Sequence, residues 1–307
     1  MQNRFLGRVI GQTAVLTIVN FIIAAYIIFR GKSFKLEYCK YALIISVPLI
    51  PHYLGASMLV TIDRIVINKF CGEAYTALYS VVYTCSMALN LLQFSINSAW
   101  NPWFFAQLNS ENYTLVKKAY KPLVVVYCVI AYSVVLFAPE VVNIVGGKTY
   151  SETVVLMPPI MLGVVCYFMC FFYFSAQIYH KKSFGISIRT IATGLFSLTM
   201  NIIFVPIFGY AASAYITFAS YLLLLILHWI AGKKLGTDNY FDSKFIFATT
   251  LVMTVLFAIA LAVYPFRPIR FGLAGLFIVA LAIVMWRHKA SLLMLVNMFR
   301  NKEASLK

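Results

Sequence analysis

The chain has 307 residues, 62% of them hydrophobic and only 11% charged, and a formal net charge of +16. A soluble domain carries about 25% charged residues, so this composition excludes an ordinary water-soluble enzyme. Lipid offers no hydrogen-bond partners, so spanning segments are either helices of about 20 apolar residues or strands of a closed barrel. The apolar runs here are long and unbroken rather than alternating, which predicts helices.

Nine spans are predicted, at Val9–Phe29, Tyr41–Asn68, Tyr75–Ala99, Pro122–Pro139, Thr153–Tyr179, Phe184–Ile207, Ala211–Ile230, Phe245–Tyr264 and Phe271–Trp286. The fold class is therefore all-α, a polytopic transmembrane bundle. The second span contains Pro48 and Pro51, each lacking a backbone donor, so both are candidate hinges. His52 adjoins them and reads as a packing residue. The same span holds Asp63 and Arg64 in apolar surroundings. That pair is either an interfacial anchor or an anion site, with Arg64 reaching a phosphate and Asp63 positioning it.

The third span carries Tyr75, Tyr79, Tyr83, Ser86, Asn90, Gln93 and Asn97 at steps of three and four, which places them on one helix face. Polar groups inside lipid are costly. The stripe therefore either lines a wet cavity or forms interhelical hydrogen bonds. The fifth span has Tyr173 and Gln177 at i, i+4. The sixth has Thr190, Gly194, Ser197 and Asn201 on one face, a pattern that suits close helix packing. The last two spans are nearly featureless and read as lipid-facing.

The six cysteines are scattered through apolar segments with no CxxC pair, and the four histidines do not cluster. No metal site, bound cofactor or enzyme motif is indicated. The basic residues are dispersed over loops, which argues against nucleic-acid binding. Of the 25, the loops after the odd-numbered spans hold 18. Lys and Arg are retained on the cytoplasmic side, so the N-terminus is expected outside and the C-terminus inside. A tail bearing Arg4 and Arg8 resists export, which raises the expectation of further helices upstream of Met1.

Several segments, in order, resemble the polysaccharide transporter family, the O-antigen and capsule repeat-unit flippases of the multidrug/oligosaccharidyl-lipid/polysaccharide exporter superfamily. They are Pro48 to Gly72 with Asp63-Arg64, Tyr79-Ser80, Ala99-Trp100-Asn101-Pro102, Pro139-Glu140, Tyr150, Pro158 and Lys181-Lys182. The most specific is Asn201, Val205-Pro206, Gly209, Ala211-Ala212, Ala214, Thr217 and Ser220-Tyr221. The resemblance implies two six-helix lobes around a cavity. Residues 1–38 then correspond to the last helix of a first lobe, 39–232 to a six-helix second lobe, 233–290 to two additional helices and 291–307 to a cytoplasmic tail.

What the resemblance implies is translocation of undecaprenyl-diphosphate-linked oligosaccharide across a bacterial inner membrane by alternating access. Its partners would be that lipid-linked substrate, the bilayer and other polysaccharide-assembly membrane proteins. Arg64, with Asp63, would meet the anionic head. Tyr79, Tyr83, Asn90, Gln93, Asn97, Tyr173, Gln177 and Asn201 would line the sugar path. Rival readings are a drug/cation exporter of the same superfamily, a non-transporting remnant, and a membrane glycosyltransferase or polymerase. The first would want cavity acids and the last an acidic catalytic loop.

Overall fold

The computed structural model describes residues 2–31, 35–47 and 50–287. Pro48, Lys32, Lys289 and the tail 291–307 lie outside the described residues, as do the side chains of Arg4 and Arg8. Among the described residues there are helices and turns and no strand. Eight helices are long and apolar enough to cross a bilayer. The chain is a multi-pass, all-α membrane protein.

It divides into two compact units, residues 1–47 and 48–307. The first holds α1 (Gln2–Gly31) and α2 (Leu36–Ser46). Along α1, Leu16, Phe21 and Ile28 are exposed, as befits a helix surrounded by lipid rather than water.

The second unit runs α3 (Ile50–Cys71), α4 (Glu73–Asn109), α5 (Tyr113–Leu136), α6 (Ala138–Gly146), α7 (Met157–Tyr179), α8 (Ser183–Phe208), α9 (Ala212–Lys233), α10 (Ser243–Val263) and α11 (Arg267–Arg287). A short 3-10 helix, Lys148–Leu156, leads into α7. Successive long helices alternate in direction. The α4–α5, α7–α8 and α9–α10 connections therefore share one end, rich in Lys, which we call the basic end. The α3–α4 and α8–α9 turns share the opposite end. Gly72 (φ 95°) and Gly209 (φ 75°) make those two turns in backbone conformations that side chains resist.

The core sits around α7, which is buried on nearly every face. It packs against α4, α5, α9 and α10, while α3 packs against α8 and α8 against α9. The α3–α8 crossing is close because Gly55 faces it. A Cβ there would come within 3.2 Å of the Ile191 nitrogen and of Thr190.

Two expectations need correction. The predicted span Tyr41–Asn68 is two helices, α2 and α3. Pro51 is the second residue of α3, where the missing amide hydrogen has no helical partner to lose. The last two helices are also not featureless. One face of α10 buries Ile246, Met253, Phe257 and Ala260. Arg270 of α11, 2% exposed, donates from Nη1 to the Glu140 carboxylate of α6 at 2.9 Å and to the Leu136 carbonyl at 3.3 Å. Tyr264 donates to the Val135 carbonyl at 3.0 Å.

Candidate functional site

The polar stripe of α4 points into the second unit. Tyr79, Tyr83, Ser86 and Gln93 are buried, Asn90 and Asn97 are half-buried, and Tyr75 sits at the rim against the Tyr210 ring. The stripe is not a uniform surface. Its two ends have different surroundings.

Toward the end away from the basic loops, the stripe meets a closed network. The Asp63 side chain of α3 is fully buried. Its Oδ2 accepts from the Tyr79 hydroxyl at 2.8 Å and from Thr217 Oγ1 at 2.6 Å. Its Oδ1 accepts from Asn201 Nδ2 at 2.9 Å. The Asn201 carbonyl oxygen accepts in turn from Ser213 Oγ at 2.7 Å. Four helices, α3, α4, α8 and α9, are joined at one carboxyl. A buried polar group is tolerated when its hydrogen bonds are made, and here both carboxyl oxygens have donors.

Asp63 therefore does not hold Arg64. The two are neighbours in sequence, but consecutive helical residues point about 100° apart. Arg64 lies over the Tyr83 ring, 4.5 Å from its centroid, and its Nε is buried without a partner. A guanidinium over an aromatic face is held by the ring quadrupole.

Toward the basic end, a cavity of about 340 Å³ lies between α3, α4, α7 and α9. Gln93, Asn97 and Asn101 supply amides, His52 and His228 imidazoles, and Tyr167, Phe171 and Phe174 aromatic walls. Gln93 Oε1 and Asn97 Oδ1 are buried with no hydrogen-bond partner. Asn101 Oδ1 accepts from Ser175 at 2.7 Å, and His52 Nδ1 bonds Thr190 Oγ1 at 2.7 Å. The lining carries no carboxylate. Amides with free acceptors beside flat aromatic faces can bind a hydroxyl-rich molecule, by accepting from its hydroxyls and stacking on its ring faces.

Behind the cavity a second polar layer joins three helices. Gln177 of α7 donates from Nε2 to the His228 carbonyl of α9 at 3.1 Å, and its Oε1 lies 3.2 Å from His228 Nδ1. Arg189 of α8 donates to the same Oε1. Outside the membrane-spanning segments, Asp242 caps α10 and pairs with Lys121 Nζ at 2.9 Å. The hydrogen bond from Lys121 holds the Asp242 carboxyl below the usual carboxylate range.

The structure thus separates the residues singled out in the sequence. Gln93 and Asn97 line the cavity. Asp63, Tyr79 and Asn201 form the closed network, and Arg64 and Tyr83 form a stacked pair. Asn90 Nδ2 lies 2.8 Å from Met87 Sδ. Tyr173 and Gln177 do not line the cavity. Tyr173 donates to Ser243 Oγ at 3.4 Å and packs on Phe241. Sequence reasoning missed Ser213, Arg189 and His228. Ser213 and Thr217 stand at i, i+4, a spacing that marks one face of α9, whereas His228 and Arg189 carry no such signal.

Among the described residues, no group of three or more His, Cys, Asp and Glu is placed to hold a metal ion. No curated protein and no solved structure matches the chain. Residues 3–108, about a third of the chain, match the sequence model of a family described as polysaccharide biosynthesis protein. The block from Asn201 to Tyr221 lies beyond that match, yet with the match the chain resembles the polysaccharide transporter family.

Proposed function

We propose that the protein translocates a lipid-linked oligosaccharide across the bacterial inner membrane, with its N-terminus outside and its C-terminus in the cytoplasm. The observation that carries the reading is the cavity lined by the amide residues Gln93, Asn97 and Asn101 beside aromatic walls. The match to a polysaccharide biosynthesis family over residues 3–108 supports the substrate class. The absence of a carboxylate from the lining favours a hydroxyl-rich ligand over a cationic drug.

Under this reading the sugar sits on Gln93, Asn97 and Asn101. The anionic head of the undecaprenyl-diphosphate carrier meets Arg64, further along the same face. The closed Asp63 network and the open cavity are the two ends of one path, and alternating access opens one while it closes the other.

The test is reconstitution of the full chain into vesicles carrying undecaprenyl-diphosphate oligosaccharide labelled on the sugar. Label protected from an impermeant glycosidase becomes accessible as transport proceeds. Gln93→Ala with Asn97→Ala is expected to slow this about tenfold per lost hydrogen bond, and Arg64→Ala to abolish it. Accessibility no faster than in protein-free vesicles would overturn the reading.

A further inference from the structure

Two basic clefts open at the basic end, and they differ in one respect. The cleft between α5, α9 and α10 holds Lys117, Lys121, Lys233 and Lys244, but also Asp238 and Asp242. Lys121 is paired with Asp242 at 2.9 Å, and Asp238 accepts from Ser243. Its cations are partly neutralised from within. The cleft between the end of α7, the start of α8 and the end of α9 holds Lys181, Lys182, Arg189 and Lys234 and, among the described residues, no acid. It measures about 560 Å³.

The second cleft has a built floor and an apolar flank. Arg189 folds over Gly185, where an added Cβ would come within 3.1 Å of its Nη2, so the glycine makes room for the guanidinium. One arm of Arg189 is tied to Gln177, while its Nε is buried without a partner. The fork is thus oriented, and a guanidinium carries donors suited to phosphate oxygens. Leu227, Ile230 and Leu235 continue the same wall, with exposed Phe184 opposite. Lys182, Arg189 and Lys234, leading directly onto aliphatic surface, match a molecule anionic at one end and hydrocarbon at the other.

We propose that this cleft binds the phosphate headgroup of an anionic membrane lipid, with Arg189 as the inner contact and Lys182 and Lys234 on the rim. The site lies behind the Gln177–His228 layer, apart from the sugar cavity. It does not depend on the transport reading. Phosphate is the shared chemistry of a lipid headgroup and a free anion, and the apolar flank favours the lipid.

The test is native mass spectrometry of the full chain in detergent, with phosphatidylglycerol, phosphatidylcholine or inorganic phosphate added. Wild type is expected to retain phosphatidylglycerol in preference to phosphatidylcholine. The rim variant K182Q/K234Q is expected to weaken phosphatidylglycerol retention about thirtyfold for two lost cations, and R189Q about fivefold for one. Should R189Q fail to fold, the exposed rim variant decides alone. Equal retention of the two lipids by wild type, or unchanged retention in the rim variant, would sink the proposal. Displacement by excess inorganic phosphate would reassign the cleft to a soluble anion and likewise overturn it. Because the readout is binding, a failure of transport leaves this result untouched.

Discussion

One helix, α4, carries both a finished and an unfinished polar surface. At the Tyr79 end every acceptor of Asp63 meets a donor from α4, α8 or α9, and the network is sealed. At the Gln93 end the amide oxygens of Gln93 and Asn97 are buried without partners, and both residues line a cavity. Phenols and Ser86 mark one end and Asn90, Gln93 and Asn97 the other, but residue type alone does not say which end is satisfied. What distinguishes them is whether the facing helices supply complementary groups. Satisfied polar groups hold helices together, and unsatisfied ones beside space mark where another molecule supplies the missing bonds.

That contrast makes the two ends respond differently to mutation. The largest effect is expected from Asp63→Ala. It removes one hydrogen bond from each of Tyr79, Asn201 and Thr217, which keep Thr217 Oγ1, the Ser197 carbonyl and the Ser213 carbonyl as other acceptors. At about 1 kcal/mol for each lost bond, the loss is roughly 3 kcal/mol and lowers the unfolding temperature in detergent. A variant as stable as wild type would show that the network is not what joins α3, α4, α8 and α9.

Gln93→Leu removes a side chain whose oxygen is already unpartnered, so its stability should change by less than about 1 kcal/mol, with a gain as readily as a loss. The same variant should fail in sugar transport. A large drop in unfolding temperature would erase the distinction between the ends, because Gln93 would then be structural.

The smallest effect belongs to the Lys121–Asp242 pair at the membrane edge. Asp242 has a folded-state pKa below its ordinary value, with the Lys121 hydrogen bond as the main cause. Its contribution is therefore present above the unfolded carboxylate value, about 4, and is lost as pH falls through the lower folded one. Lys121→Gln should flatten the acid limb of a stability–pH curve slightly, as exposed pairs contribute about 0–1 kcal/mol. An unchanged limb would show that the pair is inert.

Much of this was legible in the residues. Apolar runs marked where helices lie, because the bilayer demands length and internal hydrogen bonding of every crossing. The three-and-four spacing from Tyr75 to Asn97 assigned one polar face to α4, and that face does point inward. Pro48 and Pro51 look like hinges within one long span, and Pro51 falls in the first turn of α3. A proline's effect depends on whether it falls in the first turn or the interior, and the run of apolar residues hides that boundary.

The candidate site was only half legible. Periodicity reports which residues share a face of one helix and says nothing of what stands opposite. Asp63 and Arg64 looked like a pair because they are adjacent, yet helical rotation sends one into the bundle core and the other onto Tyr83. Arg270 precedes the predicted span Phe271–Trp286, yet its guanidinium is buried on Glu140. The membrane class, the helical architecture and the inward stripe follow from local chain chemistry, which the bilayer enforces everywhere along the chain. Which polar residues find partners and which are left facing a cavity was decided only by tertiary packing, because the donor for each acceptor comes from a helix distant in sequence.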